Sequence, residues 1–490
     1  MRTFNLIDEP WVPVLYSDAH PGVVRRVGLR QLFDDAHEIR DLALPPLERV
    51  AVMRLLICIT QAALRGPQDE SAWATCLPDI VPKVKAYLQS HHDCFDLFGQ
   101  RPFLQVAALQ PTAGKTDEDL APLDKLNFAW ASGNAHTLFD HAALGGRREI
   151  STPELALFLL TFQCFHPGGL LGFALWDGKQ TVRSTSQAPC IEGSPLLALL
   201  IGDTLLQTIH WNLIPQSRLE YQPLGKPIWE FPAPPFPDSE EASQVTNSYL
   251  GRLVPLARAI KLLPDSSRCL LTKGLEYPKF PASREPMATV VLRSDGKTLG
   301  YLGVSPDKHP WRDLHSVLLL GKIQELGGPL CLHNLLSALS EDRTVDLWVG
   351  GMTADQAKII DAREWLFSFR TNILTESALA IYREGVEFAN KQEEALRAAV
   401  RYYCNQLALE SRSLTSKASP LYWSLLDGYY PELINIAQSS ATLDSWERRC
   451  RSVAREVYAS TCPAQTPRQI QAFVKAQALV FATQKKGAAA

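Results

Sequence analysis

The stretch Val349-Gly350-Gly351-Met352-Thr353-Ala354-Asp355-Gln356-Ala357-Lys358 carries the strongest local signal in this 490-residue chain. It reads as the end of a strand, a glycine turn and the start of a helix. Two adjacent glycines permit positive φ and a close backbone approach. Thr353 is a suitable N-cap, and the helix it would open carries Asp355 and Gln356 in its first turn. Small Ala357 beside Gln356 leaves the carboxamide free to be pushed between groups that a larger neighbour would block. Taken alone, the stretch is an ordinary strand-to-helix connection with a solvated Gln. Its company along the chain gives it a second meaning.

A chain of this length exceeds one typical core, so two or three domains are expected. The composition, 46% hydrophobic and 21% charged, is that of a soluble globular protein. The net charge of −3 excludes a global cationic field for binding polyanions. The charge is uneven, however: residues 376–490 hold 14 Lys+Arg against 11 Asp+Glu, and the remainder 35 against 41. Contact with nucleic acid is therefore expected from local patches and loops. The ten cysteines all stand more than five residues apart, so no CxxC knuckle or zinc ribbon can be written. With no signal-peptide core at Met1-Arg2-Thr3-Phe4 and no apolar run of membrane-spanning length, a reducing cytoplasm is the expected compartment.

The expected fold class is α+β, with a large mixed α/β domain over 1–375 followed by an all-α four-helix bundle over 376–490. Phe4–Ile7 and Trp11–Val14 read as a paired strand opening around Asp8-Glu9-Pro10. Pro45-Pro46-Leu47-Glu48 starts a helix that runs to about Leu64. Residues 110–150 are weakly periodic and suggest a long loop. Six prolines within 222–239 exclude a helix or a central strand there. Leu270–Leu275, Ala288–Arg293 and Leu299–Val304 read as strands, the last two joined by the hairpin signal Ser294-Asp295-Gly296-Lys297. From Glu376 onward the apolar spacing is helical, with further candidate helices over Pro420–Gln438, Leu443–Ser460 and Thr466–Thr483.

The chemistry of an enzyme is not written in the chain. The histidines are scattered, with no HExxH or HxH pattern. Gly168-Gly169 and Gly350-Gly351 lack the frame of a nucleotide phosphate cradle. His91-His92-Asp93 reads as a polar helix end. Asp140, His141 and His166 remain as a conceivable hydrolytic set, and no Ser or Cys motif points to them. The residues favour a binding subunit with no cofactor and no metal.

Phe4-Asn5-Leu6-Ile7-Asp8-Glu9-Pro10-Trp11-Val12-Pro13-Val14 resembles the start of the CasA family, the large subunit of the type I-E CRISPR Cascade surveillance complex. The resemblance continues in order through Ser132–His141, His166-Pro167-Gly168-Gly169, Tyr249–Leu253 and Gly350-Gly351 with Gln356-Ala357. It ends in a helical bundle and so spans nearly the whole chain.

That resemblance implies a non-catalytic reader of the protospacer-adjacent motif (PAM) in duplex DNA, working from the minor groove and initiating strand separation for guide RNA pairing. Three DNA-binding elements are implied. The first is a loop at about Asn134–His141, whose functional positions fall on Leu138, Phe139 and Asp140; the family often has Phe and Asn where this chain has Leu138 and Asp140. The second is a glycine turn at Gly168 and Gly169, with Gly172 nearby. The third is a wedge at Gln356 and Ala357. An assisting basic residue is assigned to Arg268, with Lys273 second. Some members carry a zinc ribbon, whose cysteines this chain lacks. The implied partners are the other Cascade subunits, the guide RNA, target duplex and displaced strand, and a helicase-nuclease effector. Arg448, Arg451 and Arg455 share a helix face at i, i+3 and i+7. That spacing suits phosphate tracking and equally suits a solvated surface. The alternative reading is a scaffold subunit without DNA reading. The Gly-Gly and Gln-Ala chemistry agrees with the degenerate minor-groove pattern, which a bare backbone and one amide read loosely.

Overall fold

The computed structural model describes residues 3–17, 23–114, 120–128, 149–219, 222–263, 267–321, 326–341, 343–355 and 358–481. By contacts they form two compact units. One comprises 1–304, 320–336 and 345–368, the other 305–319, 337–344 and 369–490. The second unit thus takes in two short segments that precede the expected helical region in sequence.

The first unit is mixed. Its N-terminal strand Val12–Tyr16 lies between Arg25–Val27 and Ile39–Leu42, antiparallel to both. Phe4–Ile7 does not pair with Trp11–Val14 as expected; Leu6 N–H donates to Phe95 O and Leu97 N–H to Phe4 O instead. Helix Pro46–Leu64 follows, with Pro in its first turn, and every residue from Val50 to Gln61 is buried. An all-round apolar helix of this kind is a core element. It packs on helices Ile80–Ser90, Thr152–Phe165 and Tyr249–Leu253. Its Arg54 donates to Glu285 at 2.6 Å, both side chains fully buried, and further donates to the carbonyls of Leu253 and Arg252. Such a pair is maintained only because every donor finds an acceptor.

Helix Thr152–Phe165 begins on a capping box formed by Ser151 and Glu154, with a proline in the first turn. Strand Arg268–Lys273 runs between Ala121–Pro122 and Arg258–Leu262. The hairpin expected at 294–297 is present: Val290–Leu292 pairs with Leu299–Tyr301, and Asp295 Oδ1 accepts from the backbone N–H of Lys297 and Thr298.

The decisive stretch departs from expectation. No helix opens at Thr353. Strand Thr344–Asp355 continues straight through both glycines and is followed by strand Lys358–Arg370, its hydrogen-bonded neighbour. Strand Leu197–Ile201 completes the sheet, pairing antiparallel with Asp346–Gly350. Neither Gly350 nor Gly351 has positive φ. What they supply is space: a Cβ on Gly351 would lie 2.6 Å from Pro195 O, and one on Gly350 2.7 Å from Arg363 O. Close approach, not a turn, is the reason for glycine here.

The second unit is helical. Thr375 caps helix Glu376–Leu407 by accepting from Ala378 N–H, and the helix ends at Ala408 in the left-handed region with φ 55°. Helices Arg412–Leu426, Tyr430–Ser439, Asp444–Thr461 and Pro467–Phe481 all pack on this long helix or on one another. Four long helices make the expected bundle, and a shorter fifth comes from a division of the helix expected over Pro420–Gln438. The chain breaks into a 3-10 turn at Asp427–Tyr429, and Pro431 then sits in the first turn of the new helix. Pro431 cannot donate to the preceding turn, so a restart is the least costly arrangement. Trp311 joins this core, donating its indole N–H to Asp427 at 2.6 Å and accepting from Tyr382 Oη at its carbonyl.

Candidate nucleic-acid interface

The two strands that flank Gln356-Ala357 are 12 and 13 residues long. At ~3.3 Å per residue each spans roughly 40 Å. Two linking residues can only join antiparallel neighbours. Gln356 and Ala357 themselves lie outside the described residues. Among the described residues, the third strand, Leu197–Ile201, pairs with Thr344–Asp355 from Asp346 to Gly350. The arm of the two long strands is tied by Trp348, whose indole N–H donates to Glu364 at 2.6 Å, and by Ser368, whose hydroxyl donates to Asp346. Thr353, expected as an N-cap, donates its hydroxyl to Val304 O.

Gly168 and Gly169 take a backbone conformation that favours glycine. Their φ values are +96° and +100°, a region that L side chains avoid. A Cβ on Gly168 would stand 2.7 Å from Thr185 O. The turn follows the end of helix Thr152–Phe165, and Gly168 N–H donates to Nδ1 of His166 at 2.9 Å. A cleft of about 540 Å³ opens beside Gly169, lined among others by Pro167, Ser186, Glu192, Glu276 and Lys279. Gly172, expected near this turn, accepts from Thr272 Oγ1 at its carbonyl.

The ring of His166 is buried and meets Phe162 edge-on. Burial first, and then the positive charges of Arg258 and Lys125, hold its pKa well below the ordinary imidazole value, so the ring is neutral. Arg258 donates from Nε to that ring at 3.2 Å and from Nη2 to Ser186 O at 2.7 Å. Burial lowers the pKa of Arg258 to about 10, still leaving it charged at neutral pH. Glu192 lies half-buried in the cleft wall, its carboxyl pushed up by desolvation while Phe280 N–H donates to it. For Glu276, desolvation is outweighed by bonds from Ser186, Lys273 and Ser184, and its pKa falls.

The basic candidates are placed unevenly. Lys273 is buried behind the cleft, its ammonium 3.2 Å from Asp238 and 3.5 Å from Glu276. Its charge is therefore largely satisfied inside the protein. Arg268, at the start of the same strand, is half-buried and donates to Leu120 O at 2.7 Å. Arg448, Arg451 and Arg455 lie on helix Asp444–Thr461 of the helical unit. Arg448 and Arg455 are exposed, whereas Arg451 bonds Glu447 at 2.6 Å and lies over the Phe388 ring. Asn134, Leu138, Phe139, Asp140 and His141 lie outside the described residues.

His166 and Arg258 were not read from the sequence as parts of the turn. A histidine two residues before a glycine is a weak signal, and Arg258 arrives from a strand 92 residues away. Among the described residues no group of three metal-ligating side chains converges, and no helix is long and apolar enough to cross a membrane.

Comparison with known proteins agrees with this architecture. The chain is 31% identical over 499 residues to the CRISPR-associated protein CasA/Cse1 of Thermus thermophilus, covering 94% of this chain and 93% of that one. A crystal structure of Thermus thermophilus CasA superposes with a TM-score of 0.77 at 25% identity over 98% of both chains. A chain of a structure described as a CRISPR RNA-guided surveillance complex shares the fold with a TM-score of 0.72 at 19% identity, over 98% of this chain and 99% of that one. The family model of CRISPR-associated protein Cse1 matches residues 5–457. From its first strand to the fourth helix of its helical unit, the chain belongs to the CRISPR-associated Cse1 (CasA) family.

Proposed function

We propose that this protein is the non-catalytic large subunit of a type I-E CRISPR RNA-guided surveillance complex, and that it reads the PAM of duplex DNA from the minor groove and begins strand separation there. One observation supports the reading: strands Thr344–Asp355 and Lys358–Arg370 are hydrogen-bonded neighbours, and only Gln356 and Ala357 separate them in the sequence. A stiff ribbon is the element needed to force a short side chain under a base pair. Inserting Gln356 costs roughly a few kcal/mol of unstacking. Pairing of the guide RNA with the target strand then replaces DNA pairs in an exchange that is close to balanced. Gly169, half-buried at the edge of the cleft and without a side chain, supports the reading, because a minor-groove floor must be approached closely by backbone; Gly168 beside it is buried. Asn134, Leu138, Phe139 and Asp140 would complete the contact, with Arg268 as the first candidate for the assisting cation and Lys273, held by two carboxylates, as the second. Arg448 and Arg455 would meet phosphates of the displaced strand. The other Cascade subunits, the guide RNA and a helicase-nuclease effector are the partners in this reading, and the cytoplasm is its place.

The test is a reconstituted complex carrying Gln356→Ala, measured on duplexes with randomised flanking sequence and on the same targets opened beforehand at the first base pairs. Loss of binding to closed duplex by about tenfold or more, recovered on the opened target, is the expected result. Unaltered binding to both substrates would leave the chain as a scaffold subunit without DNA reading.

A further inference from the structure

We propose that His166 and Arg258 are positioning residues for the DNA-reading glycine turn, His166 by fixing the Gly168 N–H and Arg258 by clamping the segment that walls the turn. The inference rests on the proposed reading of Gly168-Gly169 as a DNA contact and adds the device that gives those glycines one conformation.

Two adjacent glycines have wide conformational freedom, and a loose turn would read a groove poorly. This turn is held at three points. First, the Gly168 N–H is committed to His166 Nδ1 at 2.9 Å. Second, the His166 backbone carbonyl accepts from Ala188 N–H at 2.9 Å, which joins the helix end to the 184–188 segment. Third, Arg258 reaches Ser186 O at 2.7 Å and brings Thr185 O against the face of Gly168 where a Cβ would project. Arg258 is itself rigid: its backbone N–H donates to Gln163 Oε1 at 2.9 Å, and its carbonyl accepts from Gln163 Nε2 at 2.8 Å. Gln163 lies in the last turn of that helix and His166 is its C-cap residue, so a single helix end organises strand, turn and wall.

The imidazole has to be an acceptor at Nδ1 for this arrangement. Its burial and the adjacent Arg258 charge keep the ring neutral. Gly168 N–H at 2.9 Å and Arg258 Nε at 3.2 Å both approach Nδ1, with Arg258 Nε 3.4 Å from Nε2, and we assign the proton to Nε2 on the shorter bond. An asparagine places its Oδ1 near the position of Nδ1, whereas a glutamine carries its acceptor one bond farther out. Both are polar and of similar size, so they separate acceptor position from mere tolerance of a polar group.

The experiment compares His166→Asn and His166→Gln in the assembled complex, with discrimination among flanking motifs in closed duplexes as the readout and affinity for a pre-opened target as the internal control. His166→Asn is expected to retain discrimination, and His166→Gln to lose about tenfold of it, the worth of one well-placed hydrogen bond in a buried site. Arg258→Lys, which keeps charge but cannot span the ring and Ser186 O together, is expected to behave like His166→Gln. Equal discrimination by all three variants and the parent would overturn the proposal, as would equal loss in His166→Asn and His166→Gln. A parallel Gly169→Ala complex separates the two levels: if it too discriminates like the parent, the DNA-reading role of the turn fails; if only it loses discrimination, the positioning roles alone fail.

Discussion

Trp348 donates its indole N–H to Glu364 at 2.6 Å across the two long strands of the arm, and Arg49 approaches the same carboxylate oxygen at 3.6 Å from helix Pro46–Leu64. The indole is buried while the carboxylate remains partly exposed. Glu364→Ala is expected to cost about 1–2 kcal/mol, because the buried N–H loses its partner. Screening by solvent leaves little of that to Arg49. Glu364→Gln, which keeps an acceptor, is expected to cost less. Urea denaturation of the two variants measures the difference, and faster amide exchange around Val349 in the alanine variant would localise it to the arm.

Gly168 and Gly178 offer a matched pair. Both have positive φ, +96° and +74°, yet a Cβ on Gly178 would meet nothing within 4 Å, whereas one on Gly168 would collide with Thr185 O. Gly178→Ala is expected to cost about 1–2 kcal/mol from left-handed strain alone. Gly168→Ala should exceed it by at least about 1 kcal/mol, since backbone on both sides must move. Thermal denaturation of both variants decides; equal losses would show that the wall yields freely.

Within the helical unit, Gly385 faces Leu433, and an added Cβ would overlap the Leu433 Cδ1 methyl. A helical Gly→Ala change ordinarily gains roughly 1 kcal/mol. Here overpacking is expected to reverse the sign and cost about 1–3 kcal/mol. The Gly385 carbonyl also accepts from Trp446 Nε1 at 2.8 Å, so a shift of the helix is resisted. Shortening Leu433 to Ala in the same chain should make Gly385→Ala harmless, a coupling of about 1 kcal/mol or more in a double-mutant cycle.

Glu48 titrates upward. Burial, and then the neighbouring Glu154 carboxylate, raise its pKa to about 7. In the unfolded chain it ionises near the ordinary value of about 4.3. Between those two values the unfolded state has already lost a proton that the folded state keeps, so stability falls as pH rises through this window and is flat above about 7. Glu48→Gln is therefore expected to be more stable than the parent at pH 8, by about 1–3 kcal/mol, and equal to it below about pH 4. Melting temperatures across pH 4 to 8 check both the sign and the window.

The helices after Glu376 and helix Pro46–Leu64 were legible in the residues because their signals are local. Pro46 in a first turn and Thr466 before Pro467 mark helix starts, and the spacing of Leu379, Tyr382, Val386 and Ala389 marks one buried face, whereas helix Thr152–Phe165 was not read from the sequence. The division at Asp427–Tyr429 was less legible, since a proline marks either the first turn of a helix or an interior kink, and Pro420 and Pro431 do one each.

What the amino-acid order determined by itself is the set of elements whose periodicity and caps lie within a few residues, together with the family resemblance spread along the chain. The tertiary structure alone decided what the two glycine pairs do. Gly350-Gly351 runs on within a strand with Pro195 O and Arg363 O close against it, and Gly168-Gly169 takes positive φ with His166 Nδ1 and Thr185 O close against Gly168. A glycine's local energetics permit either outcome almost equally. The choice is made by neighbours that arrive from far along the chain.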